Sequence, residues 1–161
     1  MGLFDKLHKT KDLNVYAPIS GNIHQLESLN DGVFSEHLLG EGLVIKPTNE
    51  IVHAPFDGKV VMTVESNHAI GLLSETGVEV LIHIGIDTVM MNGDGFILKV
   101  KQDDKVKKGD SLIEFSKEKI KEAGYKDDIV VIVSNSKDFD LVEITKEKEL
   151  NAGDLAITIH K

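Results

Sequence analysis

The sequence predicts an all-β domain of many short antiparallel strands with one or two very short helices. Three observations carry that class. From Val15 onward, short Val- and Ile-rich runs are separated by Gly, Pro, Asn and Asp. Helical periodicity is scarce, and the chain repeats two of its own turn-and-strand segments. At 161 residues the chain suits one domain with a sizeable core.

Taken in order, residues 1–14 read as a flexible N-terminal segment and 15–161 as a single β domain. Leu3, Phe4 and Leu7 would share one side of a short helical turn, so residues 1–10 are expected to make at most weak contact with a membrane surface. APISGNI at 17–23 places proline and glycine in a tight turn before a strand, and APFDGKV at 54–60 repeats it. Phe34 to Leu39 suggests a single helical turn ending near Gly40. The runs 66–73 and 78–84 read as two arms of a hairpin around the turn formers Ser74, Glu75, Thr76 and Gly77. VKKGDSLIEF at 106–115 recurs as LNAGDLAITI at 150–159, each with Gly-Asp feeding a strand. Ser116 is positioned to cap a short helix through Ala123, with Gly124 ending it. The repeats resemble the hairpins of biotinyl and lipoyl domains, so the expected architecture is a duplicated barrel-sandwich hybrid.

Composition narrows the function classes. The absence of cysteine excludes disulfides, thiolate catalysis and thiolate metal sites. Eighteen basic against twenty-seven acidic residues give a net charge of −9, which disfavours nucleic acid and favours partners with basic patches. No stretch approaches the ~20 apolar residues of a membrane-spanning helix and no signal-peptide pattern opens the chain, so a cytoplasmic monomer is expected.

The chemistry lies in two histidines on opposite arms of the predicted hairpin. If Leu73 pairs with Val78, the register runs on to set His68 directly opposite His83. Alternation then places Ser66, His68, Ile70, Leu81 and His83 on one face, and leaves Ala69, Leu73, Val78, Val80, Ile82 and Ile84 for the core. Two facing imidazoles beside a hydroxyl can share one small anion or one metal ion. Three site classes follow. In phosphohistidine chemistry a neutral imidazole attacks a phosphoryl group and its neighbour donates to the oxygens. In a zinc-dependent hydrolase, His68, His83 and Asp87 would serve as ligands, with an H-x-x-x-D spacing from His83 to Asp87. A swinging-arm carrier would need a lysine at a hairpin tip, and neither APISGNI nor APFDGKV leads to one.

ESNHAIG at 65–71, GVEVLIHIGIDTV at 77–89 and NGDGF at 92–96 resemble the glucose-type enzyme IIA of the bacterial phosphoenolpyruvate-dependent sugar phosphotransferase system. VFSEHLLGEG at 33–42, IKPT at 45–48, APFDG and VKKGDSLIEF support the likeness, which covers residues 15–135. The resemblance implies a phosphocarrier with His83 as phosphoryl acceptor at Nε2, His68 contacting the phosphoryl group, and Asp87 as an acidic residue beside the site. Ser66 stands where the family often has threonine and keeps the hydroxyl. Val64 and Leu81 stand where relatives often carry phenylalanine. The implied partners are the histidine-containing phosphocarrier protein, which would donate the group, and an enzyme IIB domain of a sugar permease, which would accept it. Regulated transporters or enzymes are further candidates. An apolar ring of Val33, Phe34, Leu38, Leu39, Val64, Leu81 and Val89 is expected to dock these partners and exclude water. No cofactor is required by this reading, and zinc at His68 and His83 would be adventitious.

Overall fold

The protein is described by a computed structural model covering residues 12–161. It holds fourteen strands: β1 Val15–Tyr16, β2 Gly21–Gln25, β3 Glu41–Pro47, β4 Ile51–His53, β5 Gly58–Thr63, β6 Ala69–Ser74, β7 Glu79–Ile86, β8 Phe96–Leu98, β9 Lys105–Val106, β10 Ser111–Phe115, β11 Lys126–Val133, β12 Leu141–Ile144, β13 Glu149–Leu150 and β14 Leu155–His160. The one α-helix among the described residues, α1, spans Lys117–Glu122 and begins as the sequence indicates. The Ser116 side chain accepts from the Lys119 amide at 3.1 Å, and Gly124 beyond the C-terminus takes φ +87°. Phe34 to Leu39 forms hydrogen-bonded turns instead of a helical turn, with His37 in the left-handed region. Three 3₁₀ turns not foreseen from the sequence, Leu26–Leu29, Thr88–Met91 and Ser136–Asp138, follow β2, β7 and β11.

The strands form an eight-stranded sheet in the order β13-β2-β3-β11-β7-β6-β5-β9 and two three-stranded sheets, β1-β14-β12 and β4-β10-β8. The sequence repeats occupy matching places at the two ends of the long sheet. β1 and β2 flank the first APxxG turn, with β14 on β1 and β13 on β2; β4 and β5 flank the second, with β10 on β4 and β9 on β5. The backbone bonds match as well. Ala17 N donates to Asp154 O and its carbonyl accepts from Gly153, while Ala54 N donates to Asp110 O and its carbonyl accepts from Gly109. The duplication read from sequence is therefore a duplication of hydrogen-bonded structure.

The main core lies between the sheets and is built from Ile19, Ile45, Ile70, Leu72, Ile82, Leu112 and Ile129 among others. A second, smaller cluster of Leu26, Leu29, Phe34, Val44, Val130 and Ile132 lies on the other face of the long sheet, under residues 26–34. Of the segment expected to be flexible, residues 1–11 lie outside the described residues. Residues 12–14 are already tied down: the Asp12 carboxylate accepts from Asn14 N and Tyr16 Oη, its carbonyl accepts from Thr76 Oγ1, and Leu13 packs on the core.

Candidate active site

β6 and β7 form the expected hairpin, but its register differs by one residue from the one read off the sequence. Leu73 pairs with Glu79, Gly71 with Leu81, and Ala69, not His68, with His83. The turn causes the shift. Gly77 N donates to Ser74 O, Gly77 takes φ +93°, and Ser74 N donates to Val78 O, which makes a three-residue loop in place of the four-residue one expected. The Ser74 hydroxyl reinforces it by accepting from the Thr76 and Val78 amides. Ile70 consequently belongs to the core and not to the histidine face, whereas Ala69 and Leu73 leave the core face for it.

The two rings nevertheless meet. Their centroids are 4.8 Å apart at an interplanar angle of 84°. His68 achieves this from outside the strand: β6 starts at Ala69, and the preceding turn carries Asn67 at φ +60° with its amide on Val64 O. In ladder terms the His68 carbonyl accepts from Ile84 N, yet the turn frees its side chain from strict alternation.

His83 is held firmly. Its Nδ1 lies 2.8 Å from the Gly85 carbonyl. A carbonyl can only accept, so Nδ1 carries the hydrogen and the neutral ring keeps its lone pair on Nε2. Gly85 aims that carbonyl from φ +76°, and a Cβ there would lie 2.4 Å from Thr88 Cγ2 and 2.7 Å from Lys126 O. Thr88, fully buried, donates its hydroxyl to Ile84 O and completes the turn. Phe34 packs edge-on against His83 with centroids 5.2 Å apart.

Burial favours the neutral form of both rings. It pushes His68 down to about 4, with the neighbouring His83 adding to the effect. His83 is lowered by burial, opposed by the Gly85 carbonyl and by the charges of Asp31 and Asp87. Ser66 Oγ lies 2.6 Å from His68 Nδ1. Asp31 is the site residue that sequence reading missed. It sits on a distant loop, and its only local signal is the turn in which its carboxylate accepts from the amides of Val33, Phe34 and Ser35. Asp31, Asp87, His83, Phe34, Tyr125 and Lys126 line one depression of about 560 Å³.

The expected apolar ring is only partly a ring. Val33, Leu38, Leu39 and Val89 are exposed, joined by Met62 and Met90. Phe34 is only 7% exposed and packs mainly in the second core cluster with its ring edge on His83, and Leu81 is half-buried against the same cluster. Val64 is half-buried. Leu38 and Leu39 line a separate depression with residues 134–142. Met62 reaches the histidine face because a bulge between Val60 and Met62 reverses the alternation, and its side chain lies over Gly71. Among the described residues no group of three or more His, Cys, Asp or Glu is placed to hold a metal ion, so Asp87 does not join the imidazoles as a third ligand. The hydrolase alternative loses its ligand set.

Two comparisons place this geometry among known proteins. Residues 13–139 match the family described as phosphoenolpyruvate-dependent sugar phosphotransferase system, EIIA 1. The fold is similar to that of glucose permease IIA from Mycoplasma capricolum, with a TM-score of 0.80 and 37% identity over 92% of this chain and 96% of that one.

Proposed function

The chain belongs to the EIIA 1 family of the phosphoenolpyruvate-dependent sugar phosphotransferase system, and from that membership we propose that His83 Nε2 is the atom that carries the phosphoryl group. The family's work is to accept phosphate from the histidine-containing phosphocarrier protein and relay it to an enzyme IIB domain during sugar uptake, and the chain is a phosphotransferase of that kind. The observation that carries the site assignment is the Nδ1 to Gly85 contact, which leaves Nε2 as the free nucleophile on a ring that burial keeps neutral.

In the proposed step the Nε2 lone pair attacks phosphorus on the donor phosphohistidine. A new N–P bond forms, the donor's N–P bond breaks, and its electron pair returns to the donor ring. Nδ1–H stays on the Gly85 carbonyl throughout. For the second step a thiolate of enzyme IIB attacks the same phosphorus and Nε2 leaves with its pair. Both steps exchange bonds of high transfer potential, so positioning and charge stabilisation carry the catalysis.

Ser66, as donor to His68 Nδ1, would leave the His68 hydrogen on Nε2, where it can donate to a phosphoryl oxygen. Asp31 and Asp87 give the depression beside His83 an acidic wall suited to a basic side chain of a docking partner. Val33, Val64 and Val89, with Met62 and Met90, supply the apolar docking surface, apart from Leu38 and Leu39 at the separate depression. The relay as proposed needs no metal and operates at the cytoplasmic side of a permease by a monomer; no helix among the described residues is long and apolar enough to cross a membrane. The test is a reconstituted relay: labelled phosphoenolpyruvate, enzyme I, the phosphocarrier protein, this chain and an enzyme IIB domain. Label passing through this chain to enzyme IIB is expected. A chain that takes label yet loses none of it when His83 is replaced by alanine would overturn the assignment.

A further inference from the structure

We propose that His37 is a positioning residue for phosphoryl transfer, a charged clasp that holds segment 31–40 against His83 and releases it in alkaline solution. The inference rests on the phosphocarrier reading for its consequence, but not for its geometry. The His37 ring lies between two carboxylates: Nδ1 is 2.5 Å from Glu41 Oε1 and Nε2 is 3.1 Å from Glu27 Oε2. Ionised carboxylates only accept, so each contact needs a hydrogen on its ring nitrogen. Only the imidazolium has both.

The two carboxylates belong to different elements. Glu27 lies in the 3₁₀ turn Leu26–Leu29, and Glu41 opens β3, so the clasp closes the loop across its base. His37 adopts φ +59°, a region unfavourable for residues with a Cβ and maintained where surroundings over-determine it. Hydrogen bonds inside the segment are local: the amides of residues 33–35 donate to the Asp31 carboxylate, and the rest join neighbouring turn residues. Yet this segment carries Asp31, whose charge acts on His83, and Phe34, whose ring touches it. The other charged groups facing His37 are its neighbour Glu36 and, along the same depression, Lys137, Asp138 and Asp140.

Glu27 and then Glu41 hold the His37 ring above its ordinary 6.5. The clasp is thus complete below about pH 6.5 and is lost as pH climbs through the raised value. Its side chains are partly exposed, 35% for His37 and 44% and 62% for its partners. Such pairs are individually weak, so the expected effect is about a two- to fivefold change.

The experiment uses the full chain as wild type, His37→Asn and His37→Arg. Asparagine tolerates the left-handed backbone without charge; arginine stays charged at every pH and can reach both carboxylates. Amide-exchange protection of residues 33–39 and the kinetics of phosphoryl uptake from the phosphocarrier protein are measured near about pH 6 and about pH 9. Wild type should lose protection between the two, His37→Arg should keep it at both, and His37→Asn should lack it at both, with KM raised about two- to fivefold and kcat unchanged. Wild-type protection and KM in His37→Asn near pH 6, or an alkaline loss in His37→Arg equal to that of wild type, would overturn the clasp. A chain that takes no phosphate at all defeats the phosphocarrier reading instead, while protection alone still decides the clasp.

Discussion

Replacing Gly85 by alanine separates how His83 is held from how stable the domain is. At Gly85 a Cβ would enter a left-handed backbone at φ +76° and meet Thr88 Cγ2 at 2.4 Å and Lys126 O at 2.7 Å. The left-handed conformation costs roughly 1 kcal/mol for a residue with a Cβ, and the forced contact with buried atoms adds about 1–3 kcal/mol. Around 3 kcal/mol in a domain of this size lowers Tm by roughly 6–12 °C. The same shift moves the carbonyl that accepts from His83 Nδ1. Losing that bond, worth about 1 kcal/mol, would slow phosphoryl uptake by roughly five- to tenfold. Gly77→Ala supplies the control. Gly77 also has a positive φ, +93°, but nothing lies within 4 Å of its added Cβ. It should cost only the backbone penalty and leave transfer unchanged. Thermal unfolding and single-turnover uptake of labelled phosphate, run on both variants, check the argument; Gly85→Ala behaving like Gly77→Ala in both assays would refute it.

His68→Gln should still accept phosphate on His83 but pass it to enzyme IIB more slowly, since the amide keeps a donor and loses the imidazole; rapid-quench transfer kinetics read this directly. His68 also makes the fold acid-sensitive. As pH falls from about 6.5 toward about 4, the unfolded chain takes up a proton that the buried ring refuses, so stability drops by up to about 3 kcal/mol, a loss that His68→Gln should remove in urea titrations. Exhaustive treatment with a chelator should leave phosphate uptake unchanged, measured against an untreated sample.

Local chemistry was legible in the sequence wherever neighbours in the chain decide the outcome. Ser116 capping α1 and the matched turns before β2 and β5 are cases of this kind. The histidine pair was legible too, because a hairpin is a local structure. Its register was not, since it turns on whether Ser74 and Gly77 close a three- or a four-residue loop, and in the deciding bonds the Thr76 and Val78 amides donate to the Ser74 hydroxyl. The rings met anyway because the turn at Asn67 re-aims His68. Met62 escaped alternation through a bulge. Asp31 and the burial of Phe34 depend on how residues 26–40 fold back over β3, β11 and β7, a long-range choice with no periodic signature.

In the proposed relay one nitrogen of one histidine bears the phosphate. Nitrogen-15 NMR of the ring atoms, recorded on the chain before and after phosphorylation by the phosphocarrier protein, tests it most directly. A single phosphoryl group bonded to Nε2 of His83 is expected, with Nδ1 protonated in both states. Phosphate on His68, or on Nδ1 of His83, would contradict it.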